Sequence, residues 1–225
     1  MAASCQSRLL RLSLFQVSAG FVLVLLTGTL NRVLIVELGV SVALVSAVVA
    51  IPVLAAPLRL LFGFRSDTYR SALGWRRVPF IWMGTLIQFG GLAIMPFALI
   101  LLGGDQVLGP TWAGELLAAL AFVMAGLGLH MTQTAGLALA SDRATDETRP
   151  RVVALLYVMF LLGMAVSAVI VGALLQDYSD IRLIRVVQAV AVTTLVLNVI
   201  ALWKQEPRSS LRKPGAARAP GEDES

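Results

Sequence analysis

The chain has little charge and almost no cysteine or histidine. Of its 225 residues, 14% are charged, one is cysteine and one is histidine. A single cysteine excludes a disulfide framework and a cysteine-based metal site. A soluble domain is ~25% charged, whereas this chain is 58% hydrophobic with a mean hydropathy of +0.84. One soluble core could not bury that much apolar surface, so lipid is the expected solvent.

Patterns typical of enzymes and of nucleic-acid-binding proteins are also absent from the sequence. It shows no recognisable nucleophile–base pair or metal-ligand cluster, which predicts that the chain is not an enzyme. The formal net charge is +5, but the arginines cluster at the ends of apolar runs rather than along one face. Such clusters are signals of membrane topology, so the lipid bilayer is an expected partner and nucleic acid is not.

Six apolar runs are each long enough to cross a hydrocarbon core of ~30 Å. Lipid admits only helices and closed barrels, and no alternating pattern typical of strands appears. The sequence therefore predicts an all-α protein with six transmembrane helices. The predicted spans are residues 12–36, 40–64 (interrupted by Pro52 and Pro57), 79–102, 112–140 and 150–175, and a sixth that ends near Trp203.

The distribution of lysine and arginine predicts the orientation of these spans. Basic residues lie mainly before the first span, between the second and third, between the fourth and fifth, and after the sixth. Under the positive-inside rule, both termini are then cytoplasmic. Residues 1–11 form a short cytoplasmic N-terminus, and residues 12–203 form the six-helix unit. Residues 204–225 lack apolar periodicity, which predicts a disordered cytoplasmic tail.

Two polar loops resemble motifs of the major facilitator superfamily. The loop between the second and third spans is similar to the pattern Gly-x-x-x-Asp-(Arg)-x-Gly-(Arg/Lys)-(Arg/Lys), carried here by Gly63, Asp67, Gly74, Arg76 and Arg77. The turn after the fourth span is similar to an acidic-then-arginine turn, carried by Asp142, Glu147 and Arg149. The resemblance implies one six-helix half of the facilitator fold, built from two inverted three-helix repeats. It also implies a latch in which Asp67 accepts hydrogen bonds from nearby arginines or a helix N-terminus. A solvated loop aspartate is the alternative.

Three longer stretches, residues 25–33, 63–77 and 130–140, resemble the PucC/LhaA family. Its members are facilitator-like membrane proteins of phototrophic bacteria that are associated with assembling light-harvesting antennae and delivering bacteriochlorophyll. They have about twelve spans, as two six-helix halves require, so this chain resembles an N-terminal half. Whether it is a natural half, a truncated gene or a fragment stays open.

The resemblance implies an assembly factor in the inner, photosynthetic intracytoplasmic membrane, with transient binding of bacteriochlorophyll. Its expected partners are antenna polypeptides, together with a second copy of the chain or a separately encoded second half. Two alternatives are half of a small-solute transporter, indicated by the facilitator loop and the proline-broken helices, and a nonfunctional fragment.

A pigment site around His130 follows from the same family association. A neutral imidazole is a good axial ligand for the magnesium of a chlorophyll. Gly126, one turn earlier, leaves room for a flat macrocycle, and Gln133 and Thr134 can hydrogen-bond its substituents. The alternative is a packing histidine bonded to a backbone carbonyl or to a neighbouring helix.

Three further interpretations concern individual polar residues and glycines. Arg59 is expected to extend to the cytoplasmic headgroups, and Arg32 to the outer interface or, with Asn31, to a ligand. Polar residues that could lie on an inner face awaiting six more helices are Gln16, Asn31, Gln88, His130 and Gln133. Glycines expected to allow close helix packing are Gly126, Gly128, Gly136, Gly163 and Gly172.

Overall fold

The computed structural model describes residues 2–54, 56–68, 75, 77–103, 110–203 and 205. Within these residues the secondary structure is helical and includes no strand, which confirms the all-α prediction for this part of the chain. The helices are α1 (Ala2–Leu12), α2 (Leu14–Val24), a π-helical segment (Leu25–Leu30), α3 (Asn31–Val36), α4 (Val42–Leu54), α5 (Leu58–Thr68), α6 (Val78–Leu102), α7 (Thr111–Ser141), α8 (Arg149–Leu174) and α9 (Asp180–Leu202).

Five helical stretches in the described residues are long and apolar enough to cross a membrane. They are Ser7–Val36, Val78–Leu102, Trp112–Ser141, Arg149–Leu174 and Asp180–Leu202. The bounds of α6, α7 and α8 agree with the predicted third, fourth and fifth spans to within one residue. The first stretch starts earlier than predicted, because the helix already begins at Ala2.

The second predicted span differs from the others because it is broken into α4 and α5, and neither piece is long enough to span a membrane by itself. Proline has no backbone N–H, so Pro57 cannot donate to the carbonyl four residues earlier. That carbonyl belongs to Val53 and accepts from the N–H of Ala56 instead, at 3.0 Å. The interruption predicted at Pro57 is confirmed, whereas α4 continues through Pro52.

Glycines bring two pairs of helices into close contact. In the α6–α7 pair, a Cβ atom at Gly91 would lie 2.6 Å from the Ala121 carbonyl oxygen, and one at Gly84 would lie 2.8 Å from that of Gly128. In the α2–α8 pair, a Cβ at Gly163 would lie 2.5 Å from the Val17 carbonyl oxygen. Such contacts are typical of membrane helices, whose association depends on close packing.

The expectation of close packing is confirmed for three of the predicted glycines and is wrong for one. Gly128 and Gly163 contact backbone, and a Cβ at Gly136 would lie 2.6 Å from the ring of Phe15. Gly126 is buried in α7. Gly172 is exposed, and a Cβ there would meet no atom within 4 Å.

Buried polar side chains cross-link the helices inside the bundle. The amide nitrogen of Asn198 on α9 donates to the hydroxyl of Thr85 on α6 at 3.0 Å. Gln16 and Gln88 are 3% and 1% exposed, so the bundle already covers them. The suggestion that these two glutamines lie on an open inner face is therefore wrong, because they pack between helices of this chain.

Candidate functional site

Arg59 on α5 pairs with His130 on α7. The Nε of Arg59 lies 2.9 Å from Nδ1 of His130, and a terminal guanidinium nitrogen lies 2.5 Å from the same atom. Arginine can only donate, so Nδ1 is the acceptor and the proton of the neutral imidazole is on Nε2. Arg59 thus donates to the imidazole of α7, and the expectation that its guanidinium extends to the headgroups stays a prediction.

This geometry bears on the predicted magnesium ligand. Nδ1 is occupied by the guanidinium, and a protonated Nε2 has no lone pair to offer a metal. The hydroxyl of Thr134 donates to the carbonyl of His130 at 2.8 Å, so it too is engaged. Gly126 is buried, and Gln133 is partly buried one turn from His130. The four residues lie together on α7, where Nδ1 of His130 accepts from Arg59, and the pigment site around them stays a prediction.

The loop that resembles the facilitator motif is described only in part. Gly74 and Arg76 lie outside the described residues. Gly63 faces α7, where a Cβ would lie 3.7 Å from a methyl group of Thr134. Asp67 is in the last turn of α5, and the structure does not describe its side chain. The latch around Asp67 therefore stays a prediction.

Arg77 and Asp142 join the two predicted motifs in a bidentate ion pair. The guanidinium donates from Nε to one carboxylate oxygen at 2.5 Å and from a terminal nitrogen to the other at 3.2 Å. The side chain of Arg77 is 11% exposed and that of Asp142 is 52% exposed. Two parallel hydrogen bonds fix the orientation of the guanidinium relative to the carboxylate as well as their distance. The pair therefore holds the start of α6 against the end of α7.

The rest of the second turn is exposed. Arg149 pairs with Asp146 at 3.4 Å, with side chains 55% and 95% exposed. Glu147 is also exposed. Exposed pairs of this kind contribute little to stability. The hydroxyl of Thr148 accepts from the N–H of Thr145 at 2.9 Å, which closes the turn before α8.

Hydrogen bonds also join the two ends of the helical region. Arg11 donates to the carbonyl of Trp203 at 2.7 Å. Gln205 accepts from Arg143 at 2.5 Å and donates to the carbonyl of Arg8 at 3.1 Å. Gln205 is 1% exposed, although the sequence placed it in a disordered tail. Nothing in the sequence indicated that Gln205 is buried, because its contacts are with residues far away in the chain. We call the end of the bundle at which Arg11, Arg77, Asp142, Arg143 and Gln205 meet the basic end.

A cavity of about 260 Å³ lies at the opposite end, between the first helical stretch and α8. Gly28, Thr29 and Arg32 line it from one side and Gly172 from the other. The side chain of Arg32 is 71% exposed and lies 3.8 Å from Glu37, consistent with the expectation that it reaches an interface. The π-helical segment that contains Gly28 was not predicted, because π turns have no distinct sequence pattern and occur mainly as single turns.

Tyr178, in the turn before α9, also lines this cavity. Its hydroxyl donates to Asp180 at 2.8 Å. Burial and this hydrogen bond together raise the pKa of the Tyr178 hydroxyl above its usual value. Tyr178 therefore stays a neutral donor over the physiological pH range. Among the described residues, no cluster of three or more His, Cys, Asp or Glu side chains could hold a metal ion.

Comparison with known proteins places most of the chain in one family. The family described as PUCC protein matches residues 29–224. An "Uncharacterized protein in puhA-bchM intergenic region" of Rhodobacter capsulatus is 68% identical over 206 residues, which cover 92% of this chain and 43% of that protein. "Protein PucC" of Rhodovulum sulfidophilum is 57% identical over 208 residues, 92% of this chain and 46% of that protein.

The name of a more distant relative refers to pigment. The "Bacteriochlorophyll synthase 44.5 kDa chain" of Rhodobacter capsulatus is 32% identical over 203 residues, 89% of this chain and 45% of that protein. The chain thus spans less than half the length of these curated relatives. No solved structure matches it.

Proposed function

Because the chain belongs to the PucC family, we propose that it is a membrane assembly factor that delivers or inserts bacteriochlorophyll into light-harvesting antenna complexes. The observation that carries the proposal is the family match over residues 29–224. The 32% identical relative is named as a bacteriochlorophyll synthase chain, which supports the choice of pigment. In this proposal the protein lies in the inner, photosynthetic membrane, binds pigment transiently, and performs no chemistry on it.

The proposed topology has six crossings, with α4 and α5 together making the second. Val45 and Val48 of α4 belong to the same apolar cluster as Phe122 of α7. α5 meets α7 at His130 and near Thr134, which are closer to the basic end. α4 and α5 therefore contact successive parts of α7, as the two halves of one broken transmembrane helix would. The resulting arrangement supports a 3+3 facilitator half with both termini at the basic end, which the positive-inside rule assigns to the cytoplasm.

The chain is proposed to act with a partner that packs on its exposed apolar surface. α8 has a broad exposed apolar face, at Tyr157, Val158, Leu161, Leu162, Val169 and Ile170. A second copy of the chain or a separately encoded second half is proposed for the role of partner, and antenna polypeptides are proposed as the recipients of pigment.

Half of a small-solute transporter is the second candidate function. Two observations favour it: the break between α4 and α5, and the cavity that Arg32 lines at the end away from the basic end. Discontinuous helices are typical of transporter binding sites.

Copurified pigment separates the two candidates. The protein is to be purified in mild detergent from a host that makes bacteriochlorophyll, and its near-infrared absorption recorded. The proposed function predicts bacteriochlorophyll that elutes with the protein. Colourless protein from a pigment-making host, together with solute uptake when the protein is reconstituted in vesicles, would favour the transporter instead.

A further inference from the structure

Three of the four tryptophans of the chain line one cavity at the basic end. The cavity has a volume of about 350 Å³ and lies between the start of α6 and the end of α9. Trp75, Trp82 and Trp203 contribute its indole rings. Val78, Val199 and Leu202 complete the apolar wall. Its volume falls in the range of ~300–1,000 Å³ that ligand pockets occupy.

The placement of the tryptophans differs from a general interfacial belt. Tryptophan is enriched at both membrane–water interfaces, and Trp112, at the start of α7, fits that description at the end away from the basic end. The other three instead converge on a single cavity. Indole rings offer large, flat faces that favour offset stacking on another extended π-system.

Two arginines contact residues that line the cavity. Arg11 holds the backbone carbonyl of Trp203, and Arg143 holds the side chain of Gln205, which also lines the cavity. Of the carboxylates at this end, Asp142 is engaged by Arg77. A ligand with carbonyl or carboxylate oxygens at the edge of a flat ring would therefore meet complementary charge.

We propose that the cavity formed by Trp75, Trp82 and Trp203 is the docking site for the tetrapyrrole macrocycle of bacteriochlorophyll. The ring stacks on the indoles, and its peripheral oxygens face the guanidinium groups of Arg11 and Arg143. This inference rests on the proposed function for the identity of the ligand, and it assigns that ligand to the basic end of α6 and α9 rather than to His130 on α7.

Among the described residues that line this cavity, no side chain offers a lone pair to the central magnesium of the pigment. Indole N–H groups only donate. The amide of Gln205 already uses its oxygen for Arg143 and its nitrogen for the carbonyl of Arg8. Affinity must therefore come from stacking and from the two arginines, so a macrocycle that lacks magnesium binds as well as one that contains it.

A pair of matched tryptophan variants tests the site. Trp203 and Trp112 are each 61% exposed, so replacing either with leucine leaves the packed core intact. The full chain is reconstituted in nanodiscs and titrated with bacteriochlorophyll a, with pigment binding followed by quenching of tryptophan fluorescence. W203L is expected to weaken binding about two- to tenfold, the range of one aromatic stacking contact, whereas W112L leaves it unchanged.

The outcomes distinguish this inference from the proposed function on which it rests. No saturable binding by the unaltered chain would overturn both the pigment role and this site. Saturable binding that W203L and W82L leave unchanged would overturn only the site. A parallel titration uses bacteriopheophytin a, which lacks magnesium. Equal affinity for both pigments supports stacking, and a tenfold or greater preference for the magnesium form would overturn the assignment in favour of an axial ligand.

Discussion

Arg59 sets the hydrogen-bonding role of His130. Because a guanidinium only donates, the imidazole must accept at Nδ1 and carry its proton on Nε2. Sequence alone identified His130 as the single histidine in an apolar helix. It did not identify its partner, because residues 59 and 130 are on different helices and helical periodicity relates only positions within one helix.

The tautomer of His130 is the first prediction. With one histidine in the chain, ¹⁵N-labelled histidine gives a single pair of ring signals. We expect Nδ1 to appear as an unprotonated acceptor and Nε2 as protonated, and we expect R59Q to remove that preference. A protonated Nδ1 in the unaltered protein would contradict the pairing.

The Arg77–Asp142 pair provides a second prediction at the same scale. D142N removes the negative charge opposite a nearly buried guanidinium, and hydrogen bonds to charged groups are worth about 1.5–3 kcal/mol. We therefore expect D142N to unfold at a lower temperature than the unaltered protein in detergent. D146N is the matched control, because its pair with Arg149 is exposed and worth at most ~1 kcal/mol. Equal effects of the two substitutions would show that the Arg77 pair is not structural.

At the scale of helices, hydrophobic length and glycine content predicted much of the arrangement. The bounds of α6, α7 and α8 follow directly from apolar runs between polar turns. The break after α4 was predictable from Pro57. The π-helical segment Leu25–Leu30 was not predictable, because its local sequence is as apolar as that of the flanking α-helices. The pairing of the helices was not predictable either, because hydrophobic residues are spread almost evenly around them.

The α6–α7 contact gives the third prediction. In G128A, the new Cβ would collide with the backbone of Gln88 and Gly84, and overpacking of this kind costs about 1–3 kcal/mol. G172A is the control on α8, where a Cβ has open space and alanine favours the helix by about 0.5–1 kcal/mol. Thermal unfolding of both variants in detergent should show a loss for G128A only. An unaltered midpoint for G128A would mean that the two helices are further apart than described.

At the scale of the whole molecule, contacts at the basic end bring the start of the first helical stretch next to the end of α9. Arg11 at the start of the first helical stretch holds Trp203 at the end of α9. The motifs of two separate loops, at Arg77 and Asp142, also meet there. The sequence predicted both motifs, but not that they pair, because each resembles a superfamily pattern independently of the other.

A fusion experiment tests the proposed orientation. A reporter that fluoresces only in the cytoplasm is fused after Ser225 in one strain, and after Gly103, at the end of α6, in a control strain. Six crossings with cytoplasmic termini predict fluorescence from the first fusion alone. An odd number of crossings, such as five, would place the C-terminus opposite the N-terminus and leave the first fusion dark.

The proposed role of this PucC-family chain in assembling pigmented antennae can be tested in cells. The most direct measurement is the near-infrared absorption of membranes from a phototrophic strain that lacks the gene, before and after the gene is restored. We predict that the antenna bands fall in the deletion strain while free bacteriochlorophyll is still made, and that they return on restoration. Antenna bands of unchanged height in the deletion strain would contradict the account.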